Sequence, residues 1–153
     1  MKFALTMVCL AAIILSCGKT DQNKEQEPPQ SMVEPGSTQE TDPMSNKGIG
    51  PVSSISLGAI DQNMVEEGKT IYQEYCTACH KPNEKFIGPA PAGILARRSP
   101  EWIMNMILNP EQMVKEDPIA RQLLVEYNMA PMANQGLTEE QARKILEYFR
   151  TLE

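Results

Sequence analysis

Cys76, Thr77, Ala78, Cys79 and His80 stand in an unbroken run whose residue types can do one particular piece of chemistry. Two thiols three positions apart can each add to a vinyl group of one porphyrin. A histidine directly after them can bind the iron from one face, so the run reads as a covalent attachment site for haem c. Two plainer readings fit less well. A redox pair of thioredoxin type follows a strand, whereas this pair follows a helical stretch and would leave His80 without a purpose. A structural zinc site needs four Cys or His ligands, but no histidine follows the cluster, and the remaining cysteines, Cys9 and Cys17, lie near the N-terminus.

His80 is the only histidine of the chain, so two imidazoles cannot come from one molecule, and a methionine thioether is the leading sixth ligand. Most of the 10 methionines fall in helical stretches and read as core filler. Met129 and Met132 fall in the loop from Asn128 to Gly136. Pro131 stiffens the backbone directly before Met132, which favours it, with Met129 as the alternative. With His80 on iron no histidine is left for acid or base work. No Ser-His-Asp, paired-carboxylate or phosphate-loop constellation occurs, so no catalytic residue is assigned and no enzyme is expected.

Helices must position these groups. The spacing of Met64, Val65, Gly68, Ile71, Tyr72 and Tyr75 predicts a helix over Gln62–Tyr75 with Asp61 as N-cap, ending where the cysteines begin. Gly68 costs that helix about 1 kcal/mol relative to alanine, which close approach of another helix would explain. Beyond His80, Pro82, Gly88, Pro89, Pro91 and Gly93 exclude regular structure but let backbone lie against a flat ligand. Ser99-Pro100, Asn109-Pro110 and Asp117-Pro118 each open a short helix, the last carrying Ile119, Leu123, Leu124 and Tyr127. Thr138 and Gln141 form a capping box before Ala142, Ile145, Leu146, Phe149 and Leu152, a stripe suited to meet the Gly68 helix.

Composition bounds the rest. A chain of 153 residues with 41% hydrophobic residues allows one modest domain. After Phe3 the next aromatic is Tyr72, so a core begins no earlier than about residue 60. A domain that small is thinly cored, and a large flat cofactor would supply buried surface. The net charge of −6 argues against nucleic acid and points to a basic partner surface. Lys2 and the apolar run Phe3–Leu15, too short to span a bilayer, read as a secretory signal over residues 1–16. Its end, Ile14-Leu15-Ser16-Cys17, resembles the lipobox of bacterial lipoproteins, which implies lipid on Cys17 and an exported protein anchored to a membrane and facing the periplasm. Residues 17–60 are rich in polar residues, Pro and Gly and read as a disordered tether. Ile49–Leu57, with alternating Val52, Ile55 and Leu57, could instead lie along the surface of the domain over residues 61–153.

From about residue 60 to 153 the chain resembles a class I monohaem cytochrome c. The resemblance rests on Gly68, Tyr72, the Cys76–His80 run, Gly88-Pro89, Trp102, Pro131-Met132 and the terminal helix with Tyr148 and Phe149. It implies an all-α fold of short helices wrapped around one haem, with first and last helices crossing at Gly68. It implies that the Pro89 carbonyl accepts the ring hydrogen bond of His80 and that Trp102, with Arg97 or Arg98, meets the haem propionates. It places the methionine ligand in the Met132 loop, although Ala133 stands where the family more often has proline. The implied function is one-electron transfer between respiratory partners, a donor and a terminal reductase or oxidase, outside the cytoplasm. The alternatives are a haem-bearing subunit of a larger complex and a haem gas sensor.

Overall fold

A computed structural model describes residues 42–152. The signal segment, Cys17 and the tether up to residue 41 lie outside the described residues. The described part has five α-helices and no strand: α1 (Gln62–Tyr75), α2 (Pro100–Leu108), α3 (Pro110–Glu116), α4 (Pro118–Glu126) and α5 (Glu139–Phe149), with a 3-10 turn at Ile94–Ala96. None of these helices is long and apolar enough to cross a membrane.

The helix starts follow local chemistry. The Asp61 carboxylate accepts from the Asn63 and Met64 N–H groups and opens α1. Ser99 caps α2 through the Trp102 N–H, and Asp117 caps α4 through the Ala120 N–H, each followed by proline at the first helical position. Thr138 and Gln141 close the expected reciprocal box at the head of α5. Asn109 is the exception: it precedes Pro110 but makes no capping bond, its side chain reaching Ile49 O and Gln112 instead.

Helices α1 and α5 cross at Gly68. A Cβ at that position would collide with the carbonyl of Lys144, so the absence of a side chain is what lets the two backbones touch. Tyr72 of α1 then packs against Tyr148 and Phe149 of α5, with ring centroids 5.5 and 5.7 Å apart. Ala142, Ile145 and Leu146 complete a solvent-free seam. Helix α4 is different: only Ala120 of it is buried, and the Leu123, Leu124 and Tyr127 part of its stripe faces a cavity. An apolar helix face turned to a cavity instead of a neighbouring helix is a face shaped for a cofactor.

One boundary differs from the sequence expectation. The disordered tether assigned through residue 60 gives way by residue 46 to a strap packed on α2 and α3. Val52 is buried, and its N–H and C=O both bond the side chain of Asn105, which also donates to Lys47 O. Ser99 Oγ donates to Asn46 O, and Asp61 N–H donates to Glu147. The surface alternative for Ile49–Leu57 is the arrangement seen, extended back to Asn46, and the strap is held by its backbone groups, a few apolar side chains and the Asn46–Asp117 bond.

Candidate functional site

Cys76 forms the C-cap of α1, and the chain turns tightly there: the Cys79 and His80 N–H groups both donate to Cys76 O, at 3.1 and 2.9 Å. That turn brings both thiols and the imidazole to one cavity, and neither cysteine is in a disulfide. Burial, with Cys79 beside it, pushes the Cys76 thiol up to about 11. Among the described residues, no three His, Cys, Asp or Glu side chains cluster to hold a bare metal ion.

The loop after His80 fixes the imidazole. His80 Nδ1 lies 2.8 Å from Pro89 O, and a carbonyl can only accept, so Nδ1 carries the proton and Nε2 keeps its lone pair. Gly88 lies under the ring: a Cβ there would run into His80 Cε1 and Nδ1. The Gly88 N–H donates to Cys79 O, and the Tyr72 hydroxyl donates to His80 O, tying the loop and the backbone of His80 to the turn and to α1. Burial is the main cause that pushes the Tyr72 hydroxyl up to about 12, so it stays a donor. Arg97 bonds the carbonyls of Ala90 and Ala92 and so braces the same loop.

Ala130, Pro131, Met132 and Ala133 form another part of the wall. Met132 is half-buried there, whereas Met129 is 62% exposed and does not line the cavity. Asn128 and Met129 both adopt left-handed backbone, with φ of 57° and 60°, and this turn carries the chain out of α4 into the wall. Ile103, Met106 and Ile107 of α2 add to the apolar lining. A largely apolar cavity edged by two thiols, one oriented imidazole and the thioethers of Met132 in the loop and Met106 in α2 has the donor set that covalent haem c requires.

Arg97, Arg98 and Trp102 also line the cavity, but not in the role implied for the tryptophan. The Trp102 indole N–H donates to Asp117 Oδ1 at 3.2 Å, so it has no proton to offer a propionate. The Arg98 guanidinium lies 5.4 Å from the Trp102 ring centroid. Sequence reasoning identified Asp117 as a helix cap and missed this second bond, for which the sequence carries no signal. It also missed Leu123, Leu124 and Tyr127 as cavity walls; their helical stripe was visible, but not which partner it faces.

Residues 65–153 match the family described as Cytochrome c. The fold is similar to that of cytochrome c from Rhodothermus marinus, at 47% identity and a TM-score of 0.64, over 66% of this chain and 87% of that one. An engineered form of the same cytochrome, bound to a carbene intermediate, matches at 47% identity and a TM-score of 0.61, over 66% of this chain and 88% of that one. The cytochrome c domain of a Pseudomonas putida protein matches at 27% identity and a TM-score of 0.51, over 54% of this chain and 84% of that one. No curated protein matches the chain.

Proposed function

The chain belongs to the cytochrome c family, carries haem c and serves electron transfer, and from that premise we propose that it is a one-electron carrier with His80 and Met132 as axial ligands. The haem iron supplies a one-electron Fe(II)/Fe(III) couple. Cys76 and Cys79 hold the group covalently at the end of α1. The His80–Pro89 bond keeps Nε2 directed to iron and raises its basicity. Met132 closes the remaining position with a soft donor, which favours the reduced state, and the apolar wall acts in the same sense. With His80 and Met132 both holding the iron, the group would supply electron transfer and not substrate binding.

The observation that carries this reading is the contrast between Met132, on the cavity wall, and Met129, mostly in solvent. Its test is the optical spectrum of the oxidised holoprotein. Met132→Ala is expected to lose the far-red sulfur-to-iron band, and Met129→Ala to keep it. Loss of the band in Met129→Ala alone, or carbon monoxide binding by the reduced wild type at rest, would overturn the assignment, the latter in favour of a gas sensor.

The reading extends to partners and place. Ile87, at the cavity, and its neighbour Phe86 are each 47% exposed, an apolar contact for a redox protein, whether a respiratory donor or a terminal reductase or oxidase. Lys81 lies over Phe86 and pairs with Glu84, Lys85 lies over Tyr127, and Arg97 and Arg98 line the cavity near Glu126, so cations outnumber anions on the face toward the partner although the chain is acidic. That favours an acidic partner surface over the basic one expected from net charge. Cys17 would carry the lipid that holds the exported protein to a membrane facing the periplasm. Cys17→Ala is expected to shift the protein from membrane to soluble fraction; unchanged fractionation would contradict the anchor.

A further inference from the structure

The strap is linked to Trp102 of the cavity wall through one buried carboxylate. Asp117 is 2% exposed and accepts from three N–H donors: Ala120 N at 2.7 Å, Asn46 Nδ2 at 2.6 Å and Trp102 Nε1 at 3.2 Å. Each of these neighbours is an N–H donor, and the carboxylate oxygens accept from all three. Trp102 is itself 2% exposed and lines the cavity. Asn46 reaches the other side of the same tryptophan as well, because its carbonyl accepts from Ser99 Oγ at 2.5 Å, and Ser99 Oγ in turn accepts the Trp102 backbone N–H at 3.1 Å. One strap residue therefore ties together the N-caps of α2 and α4, the two helices between which Trp102 is held.

We propose that Asp117 is a positioning residue for the redox site: gripped by Asn46 of the strap, it orients Trp102 in the cavity wall and places a fixed negative charge behind that tryptophan which lowers the reduction potential. The inference rests on the haem reading above. A buried anion stabilises the ferric state over the ferrous state, since oxidation adds a positive charge to the iron; the Arg98 guanidinium, which interacts with Asp117, offsets part of that charge and its removal would act in the opposite sense. The indole N–H transmits the position, because an indole held at its nitrogen and braced by Arg98 at its face cannot swing into the cavity. The strap thus does more than cover α2 and α3; without Asn46 the carboxylate loses one of its three donors.

The test uses the holoprotein, first checked for covalent haem so that a protein lacking it is recognised as a failure of the haem reading and not of this one. Midpoint potentials are measured for wild type, Asp117→Asn and the reciprocal exchange Asn46→Asp with Asp117→Asn. The exchange keeps a donor–acceptor pair while moving the charge to the strap, and it serves if the single variant does not fold. Removing or moving the charge is expected to raise the reduction equilibrium constant by roughly threefold or more, about 28 mV at 59 mV per decade. In Asn46→Ala, hydrogen exchange at the indole N–H of Trp102, the only tryptophan, is expected to quicken while α1 and α5 amides keep their protection. A folded charge variant with the wild-type potential, or unchanged indole exchange in Asn46→Ala, would overturn the proposal; lowered thermal stability alone would leave Asp117 a structural cap and also count against it.

Discussion

His80 Nδ1 and the carbonyl oxygen of Pro89 lie 2.8 Å apart, with Gly88 pressed beneath the imidazole so closely that no Cβ fits between them. The bond fixes the tautomer, and the missing side chain fixes the ring's height above the loop. Gly88→Ala should push the ring off Pro89 and weaken its axial bond, at a stability cost of about 1–3 kcal/mol. The optical spectrum of the reduced holoprotein checks this: a high-spin fraction is expected, and a spectrum indistinguishable from wild type would show that the loop yields without moving His80.

Gly68 makes a different kind of contact, backbone to backbone. The obstacle to a Cβ there is the Lys144 carbonyl, which cannot rotate aside as a side chain could. Gly68→Ala is therefore expected to destabilise the domain by about 2–4 kcal/mol despite the better helix propensity of alanine. Denaturant titration measures it; a gain in stability would mean that α1 and α5 separate at little cost.

Glu147 gives the acid dependence of the fold. Burial alone would raise its carboxyl, but the Asp61 N–H and the Arg150 and Arg143 guanidiniums outweigh burial and hold it below its ordinary 4.5. A group depressed in the folded state contributes stability that is full above its unfolded value and lost as pH falls through its folded value. Unfolding free energy should thus fall as acid is added below about pH 4.5. Glu147→Gln should flatten that fall and cost roughly 3 kcal/mol at neutral pH, because two arginines then face a neutral amide. An acid limb that persists unchanged in the variant would assign it to other carboxylates.

The helices were legible because their signals are local. Asp61, Ser99-Pro100, Asp117-Pro118 and Thr138 with Gln141 each act within four residues of themselves, and each starts a helix where the pattern placed it. The run from Cys76 to His80 was legible for the same reason, and Gly68 announced a contact without naming Lys144. The strap was legible only in part: the alternation of Val52, Ile55 and Leu57 left Ile49–Leu57 open as a surface segment, and Asn46 carried no signal. Its polar composition matches a tether, and its order comes from Asn105 and Asp117, more than 50 residues away in sequence. The Trp102–Asp117 bond was hidden for the same reason, and with it the reason that tryptophan cannot serve a propionate.

The central claim is that Cys76 and Cys79 are joined to one haem beside His80. The mass of the chain over residues 61–153, released from the purified holoprotein and recorded under denaturing conditions together with a count of free thiols, tests it most directly. The account predicts a mass greater by one haem, with no thiol from Cys76 or Cys79 left to titrate. A chain of unmodified mass with both of those thiols free would contradict it.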